Sequence, residues 1–268
     1  MDHCLACGRE LPPGQGEVCP ECQAQGKLAS SAGAKAAFPH RVTLVFLLSN
    51  VGGFLLMVAM GVSFTDPWVG HLFAFGGTQG YATLIQLQVW RLLTSNYLHD
   101  GIIHLMLNMY CLWGLGRLVE LFYSKLDYVL LYTFAGIAGS ALGVAVHPNS
   151  VSVGASGAIF GLAGVLLTTL RYGRLPLPDP SRKLLFRDIL QFAGINLVAG
   201  LFIPRVSNAG HIGGLVAGLL VGWLMGKHLD ASPASKSRRT SYWVWLWLGL
   251  AVAFLVFRVL RVGWIFVD

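Results

Sequence analysis

From Arg41 onward the chain runs in apolar stretches of about twenty residues, the length at which a helix crosses the hydrocarbon core of a bilayer. Helices satisfy their own backbone hydrogen bonds, so they tolerate lipid where irregular chain does not. The composition agrees: 55% of the 268 residues are hydrophobic and 12% are charged, whereas soluble domains carry roughly 25% charged residues. Spans are expected at roughly 41–62, 102–121, 127–146, 155–170, 187–204, 209–227 and 243–265. The fold class is therefore an all-α integral membrane protein. The 33 glycines point to close helix crossings.

Charge placement predicts orientation. With the N-terminus in the cytosol, most of the 19 Lys and Arg fall in cytosolic segments. Only Arg91 and Arg205 fall in outer loops, and Arg258 and Arg261 in the last span. Positive charge concentrates on the cytosolic side of membrane proteins, so seven spans and an external C-terminus follow. The first forty residues hold no apolar signal-peptide core. The net charge of +7 thus reports topology, and no nucleic-acid partner is expected. The loop of residues 63–101 holds Trp68, Phe73, Phe75, Tyr81, Trp90 and Tyr97 with few charges. That density suits a segment lying in the membrane interface; the plainer account is a disordered loop with scattered aromatics.

Ser156 opens the fourth span within Gly154-Ala155-Ser156-Gly157, and His211 opens the sixth within Gly210-His211-Ile212-Gly213-Gly214. A serine hydroxyl is a weak nucleophile that needs a base within reach and donors for an oxyanion. His211 can be that base, and the free N–H groups of a helix's first turn favour an oxyanion at Ser156. Gly157, Gly161 and Gly164 bare one side of span four. Gly210, Gly214, Gly218 and Gly222 repeat every four residues on span six. Such faces let two backbones approach closely. The plainer account of Ser156 is packing, or back-bonding to a helix carbonyl.

His104 and Asn108 stand four residues apart and project from one helix face, where both can donate hydrogen bonds to an oxyanion. The alternative is a polar pair that glues helices together. His99 is expected to pack the loop. Arg91, after Trp90, would anchor to lipid phosphate or bond loop carbonyls.

Taken in order, Trp90-Arg91, His99, His104-x-x-x-Asn108, Gly154-x-Ser156-Gly157-x-x-x-Gly161 and His211-x-x-Gly214 resemble the rhomboid intramembrane serine proteases over roughly residues 41–227. The resemblance implies a six-helix catalytic core over residues 41–227, with the last span a seventh, C-terminal helix. Ser156 would be nucleophile and His211 general base, a dyad without an acid. His104, Asn108 and the Ser156 N–H would form the oxyanion hole. The third and fourth spans are read as free of carboxylates. Phe160 stands where family members often place a tyrosine against the imidazole; a phenyl ring can pack there but loses the hydroxyl. The substrates implied are transmembrane segments of other proteins. They would enter laterally from lipid past span five and be cut near the outer face of a cell membrane. A locally unwound helix and a small residue before the cut are part of the same expectation.

Before the spans, residues 1–26 hold Cys4-x-x-Cys7 and Cys19-x-x-Cys22. Four thiolates at this spacing suit tetrahedral zinc, in a small ribbon-like cytosolic module whose protein partner is unknown; a metal-free ribbon, or disulfides that a reducing cytosol disfavours, are the alternatives. No cofactor is expected for catalysis itself. Residues 27–40 read as a linker, residues 228–242 as a second, cytosolic one, and residues 243–268 as the seventh helix with a short tail. Cys111, inside span two, is expected to act as a small apolar residue. Two other readings stand beside the protease. One is a catalytically inactive relative that binds membrane clients. The other is a small transporter or channel, which would place carboxylates or broken helices in the core.

Overall fold

The computed structural model describes residues 2–3, 10–11, 19–21, 40–173, 175, 177–229 and 233–265. Two units are distinguished, Met1–His40 and Arg41–Asp268. In the first, β1 (Asp2–His3) pairs antiparallel with β2 (Glu10–Leu11), Asp2 opposite Leu11 and His3 opposite Glu10. Leu11 and Cys19 are buried. Cys4, Cys7 and Cys22 lie outside the described residues, and so does the zinc site expected of them with Cys19. Among the described residues no group of three His, Cys, Asp or Glu is placed to hold a metal ion.

The second unit is helical: α1 (Arg41–Ala59), α2 (Val69–Ala74), α3 (Arg91–Thr94), α4 (Ile102–Phe122), α5 (Lys125–Val146), α6 (Ser156–Tyr172), α7 (Asp179–Ala199), α8 (Asn208–Met225) and α9 (Pro233–Ile265). Among the described residues, α1, α4, α5, α8 and the stretch Ser237–Leu260 of α9 are long and apolar enough to cross a membrane. α6 is apolar but has 17 residues. α7 carries Arg182, Lys183, Arg187 and Asp188 in its first half.

Two expected boundaries move. The fifth span was expected from residue 187, but α7 starts at Asp179, because Pro178 and Pro180 pre-set the backbone of a first helical turn. α9 begins at Pro233, so the second half of the expected linker of residues 228–242 is helical. The segment of residues 63–101 holds α2, a π-helical turn (Tyr81–Ile85), α3 and a 3-10 turn (Ser95–Tyr97), which goes against the disordered-loop alternative.

α6 sits at the centre. Leu162, Ala163, Val165 and Leu166 are wholly buried, and a helix apolar on all sides belongs inside a bundle. α5 and α8 flank it. The outer helices turn their large apolar residues outward, as Ile103 and Tyr110 do on α4 and Leu48 on α1. That surface suits lipid.

Helix ends are fixed by side chains. Ser124 caps α5, its Oγ accepting from the Asp127 N–H. Glu120 of α4 accepts from the Val42 and Thr43 N–H groups and from Thr43 Oγ1 at 2.9, 3.2 and 2.7 Å, placing a carboxylate on the first turn of α1. Contrary to the expectation for the third span, α5 does hold a buried carboxylate. Asp127 lies in its first turn, accepts from Trp243 Nε1 at 2.9 Å and pairs with Arg239 Nε at 3.1 Å. It is committed to α9, twelve residues along α5 from Gly139, which meets the site helices.

Candidate functional site

Ser156 is the first residue of α6, where N–H groups are still free of helical partners. The chain reaches it through a short extended segment held by the loop. Thr78 and Ser152 form an antiparallel bridge, and the Gly154 N–H donates to the Ser95 carbonyl at 2.9 Å. Gly154 has φ +124°, which an L side chain rarely adopts. A Cβ there would fall 2.9 Å from His104 Nε2 and 3.8 Å from Ser156 Oγ. Gly154 therefore lies between the imidazole and the hydroxyl, and its missing side chain lets both face one space.

His104 and Asn108 come from α4. The Asp100 N–H donates to His104 Nδ1 at 3.2 Å. A neutral imidazole that accepts at Nδ1 carries its proton on Nε2, the nitrogen turned towards Gly154. Asn108 is buried and donates one N–H to the His104 carbonyl at 2.8 Å. Its amide has a second N–H for the cavity.

His211 is the fourth residue of α8. Ser207 Oγ accepts from the Gly210 N–H at 3.2 Å and starts the helix at that register. The His211 ring is buried and lies flat against Phe160, centroids 4.3 Å apart and planes 13° apart. Among the described residues, His211 Nδ1 is buried without a hydrogen-bond partner. Among the described residues no carboxylate bonds to Nδ1, and the stack orients the ring. No hydrogen bond joins Ser156 Oγ to His211 in this structure.

Glycines set the distance between these helices. A Cβ on Gly214 would collide with the Gly157 carbonyl, and one on Gly218 with the Gly161 carbonyl. On α5, a Cβ at Gly139 would sit 2.6 Å from the Gly210 carbonyl. The faces of α6 and α8 thus meet backbone to backbone.

Ser156, His211, His104, Asn108, Gly154 and Phe160 line one cavity of about 350 Å³, together with Gly157. Gly214, Trp90, Arg91 and His99 are not in its lining. Arg91 is buried and spends its donors on the loop. Nη1 donates to the carbonyls of Phe73 and Gly77, and Nε to Gln88 Oε1. These bonds are of the loop-carbonyl kind, one of the two roles expected for Arg91. Its guanidinium lies over the Phe73 and half-exposed Trp90 rings, and burial pulls its pKa down. His99 is fully buried, edge-on to His104 with centroids 5.2 Å apart. Burial, aided by repulsion from His104 and opposed by the Tyr97 carbonyl, pushes its pKa down to about 3.

Three contributors escape sequence reading. Asp100 sets the His104 tautomer through its backbone, so no residue type announces it. Arg205, at the cavity rim with φ +65°, bridges Asp66 and Asp100 at 3.0 and 3.3 Å, and these carboxylates raise its pKa. Ser207, whose cap starts α8 at the register of His211, is a third contributor that the sequence reading did not name.

The sequence matches the family described as Rhomboid domain over residues 86–228. It is 37% identical over 208 residues to "Rhomboid protease GluP" of Bacillus subtilis, an overlap covering 76% of this chain and 38% of that protein. It is 37% identical over 138 residues to "RHOMBOID-like protein 7" of Arabidopsis thaliana, covering 52% and 43% respectively. With "Inactive RHOMBOID-like protein 8" of the same plant it shares 30% over 151 residues, covering 56% and 42%. The chain spans roughly two fifths of the length of these relatives.

Proposed function

The chain belongs to the rhomboid family, and from that premise we propose that it is an intramembrane serine endopeptidase in which Ser156 is nucleophile and His211 general base. The observation that carries this reading is the convergence of Ser156, His211, His104 and Asn108, from three helices, on one cavity.

His211 takes the proton of Ser156 Oγ as that oxygen attacks the scissile carbonyl carbon. The carbonyl oxygen becomes an oxyanion held by the Ser156 N–H, His104 Nε2–H and the free N–H of Asn108. The C–N bond breaks, His211 protonates the leaving amine, and an acyl-enzyme remains on Ser156. Water, deprotonated by His211, then releases the acid and restores the serine. The Ser156–His211 hydrogen bond forms with substrate in place, since such bonds are often long without it.

The substrates are transmembrane segments of other proteins, because a site between membrane helices meets chains already in lipid. A substrate helix must unwind locally, as its carbonyls are otherwise engaged. The positive charge of the cytosolic segments supports an inner or plasma membrane location, a cytosolic N-terminus and a site towards the outer face. The six-helix core would be residues 41–227, with α9 the seventh helix.

Zinc in the N-terminal module belongs to the same reading. Cys4, Cys7, Cys19 and Cys22 supply four soft thiolates at the spacing of two knuckles. Zinc would tie the two knuckles together and stabilise a module too small for a core of its own. Metal analysis of the purified full chain should find one zinc per chain, lost on Cys4→Ser with Cys7→Ser; no bound zinc in the intact chain contradicts the assignment.

The test of the enzyme assignment is reconstitution of the purified protein in liposomes with a transmembrane substrate carrying a helix-breaking Gly-Pro segment. Wild type should release a cleavage product and Ser156→Ala none. Equal cleavage by both removes Ser156 from the chemistry.

A further inference from the structure

α9 packs on the unit through Trp243, Leu246 and Trp247, the last edge-on to Phe134 of α5, and polar contacts lie before and after that packing. Near its start, Arg239 and Trp243 bind Asp127 of α5, as described above. Fifteen residues beyond Trp243, Arg258 Nε donates to the Leu84 carbonyl at 3.0 Å. Leu84 lies in the π-helical turn Tyr81–Ile85. Around it Phe254 and Phe257 pack where Leu84 and Leu92 meet Val144 of α5.

An arginine inside an apolar span is costly and is retained where it has a specific partner. Here the partner is a carbonyl near the end of a turn, where helices leave acceptors open to outside donors. The loop held in this way reaches the site from both sides of Leu84. Upstream, Thr78 bridges Ser152. Downstream, the Ser95 carbonyl accepts the Gly154 N–H. Both contacts fix the segment that delivers Ser156.

We propose that α9 is a strut for the catalytic loop, and that Arg258 is a positioning residue acting through Leu84 and residues 78–95 on the Gly154–Ser156 segment. The effect on catalysis rests on the protease reading; the strut itself does not.

The test uses the full-length protein in bicelles, comparing wild type, Arg258→Leu and Arg258→Lys by hydrogen exchange and by cleavage. Arg258→Leu should speed exchange of the Gln86 and Gln88 amides about tenfold, the scale of one hydrogen bond to a charged group. It should lower kcat and leave KM nearly unchanged, because the substrate-facing side chains are untouched. Arg258→Lys, which keeps a donor, should restore much of both. Unchanged exchange in Arg258→Leu, or a lysine no better than leucine, overturns the strut. Faster exchange with unaltered kcat, in a protein that cuts, overturns the link to Ser156. If wild type does not cut, the protease reading fails, and the exchange arm still decides the strut. Should Arg258→Leu not fold, a short thiol cross-linker should join Leu84→Cys to Phe254→Cys in the folded protein; failure to join them overturns the proposal.

Discussion

Phe160 lies face to face with His211, ring centroids 4.3 Å apart. Aromatic pairs of this kind contribute about 0.5–1.5 kcal/mol beyond burial. With His211 Nδ1 unbonded among the described residues, the stack is the visible restraint on the imidazole. Phe160→Ala should leave the protein folded and lower kcat by roughly two- to tenfold, that energy read as a rate. Phe160→Tyr should keep wild-type turnover or better. Steady-state cleavage of a transmembrane peptide checks both.

The glycine interface gives a contrast with a built-in control. A methyl on Gly214 strikes the Gly157 carbonyl, so Gly214→Ala must push α8 away from α6. Overpacking of this kind costs about 1–3 kcal/mol. Gly114, in α4, has nothing within 4 Å of an added Cβ, and Gly114→Ala should be neutral or stabilising by about 0.5–1 kcal/mol. Thermal unfolding in detergent separates the two. Equal stability of both variants would refute the close crossing.

How much of this was readable beforehand depends on where the information lies. The apolar runs gave the helices directly, because lipid imposes length and hydrophobicity together. The four-residue glycine spacing on α8 gave the face that meets α6. The start of α7 was missed because its first two turns are charged and only Pro178 and Pro180 mark the onset. For residues 63–101 the aromatic density pointed to an interfacial segment and Arg91 to loop carbonyls, but which carbonyls it binds, those of Phe73 and Gly77, needed coordinates. Asp127 stands at the first position of the expected third span and was legible there; what needed coordinates is its commitment to Arg239 and Trp243, over a hundred residues away. For the site, Ser156, His211, His104 and Asn108 were named from residue type and spacing. The role of the Asp100 N–H needed coordinates.

In the proposed mechanism Asn108 is one of three oxyanion donors. Loss of one such donor lowers rate on the order of 10²–10³-fold. Asn108→Ala should show that loss in kcat with stability little changed, since the helix carbonyl it frees on His104 is already bonded within α4. Turnover equal to wild type would exclude Asn108 from the hole.

His99 makes stability depend on acid. Its folded pKa, about 3, lies below its ordinary value of 6.5. Above about pH 6.5 the ring is neutral in folded and unfolded chains alike, and pH has no effect through it. Below that, the unfolded chain binds a proton that the folded chain refuses, so stability falls with falling pH. The loss continues until the folded ring protonates near pH 3, at up to about 1.4 kcal/mol per pH unit. His99→Gln should be less stable than wild type at pH 7.5, with the gap narrowing between pH 6 and 4.5. A gap constant across that range would contradict the assignment.

If Ser156 is a nucleophile activated by His211, a reagent selective for such serines should label it. The most direct measurement is mass spectrometry of the full-length protein after reaction with a serine-directed fluorophosphonate. One adduct is expected, mapped to Ser156, absent from Ser156→Ala and formed far more slowly in His211→Ala. An adduct on another residue, or one that forms at the same rate without His211, would contradict that assignment.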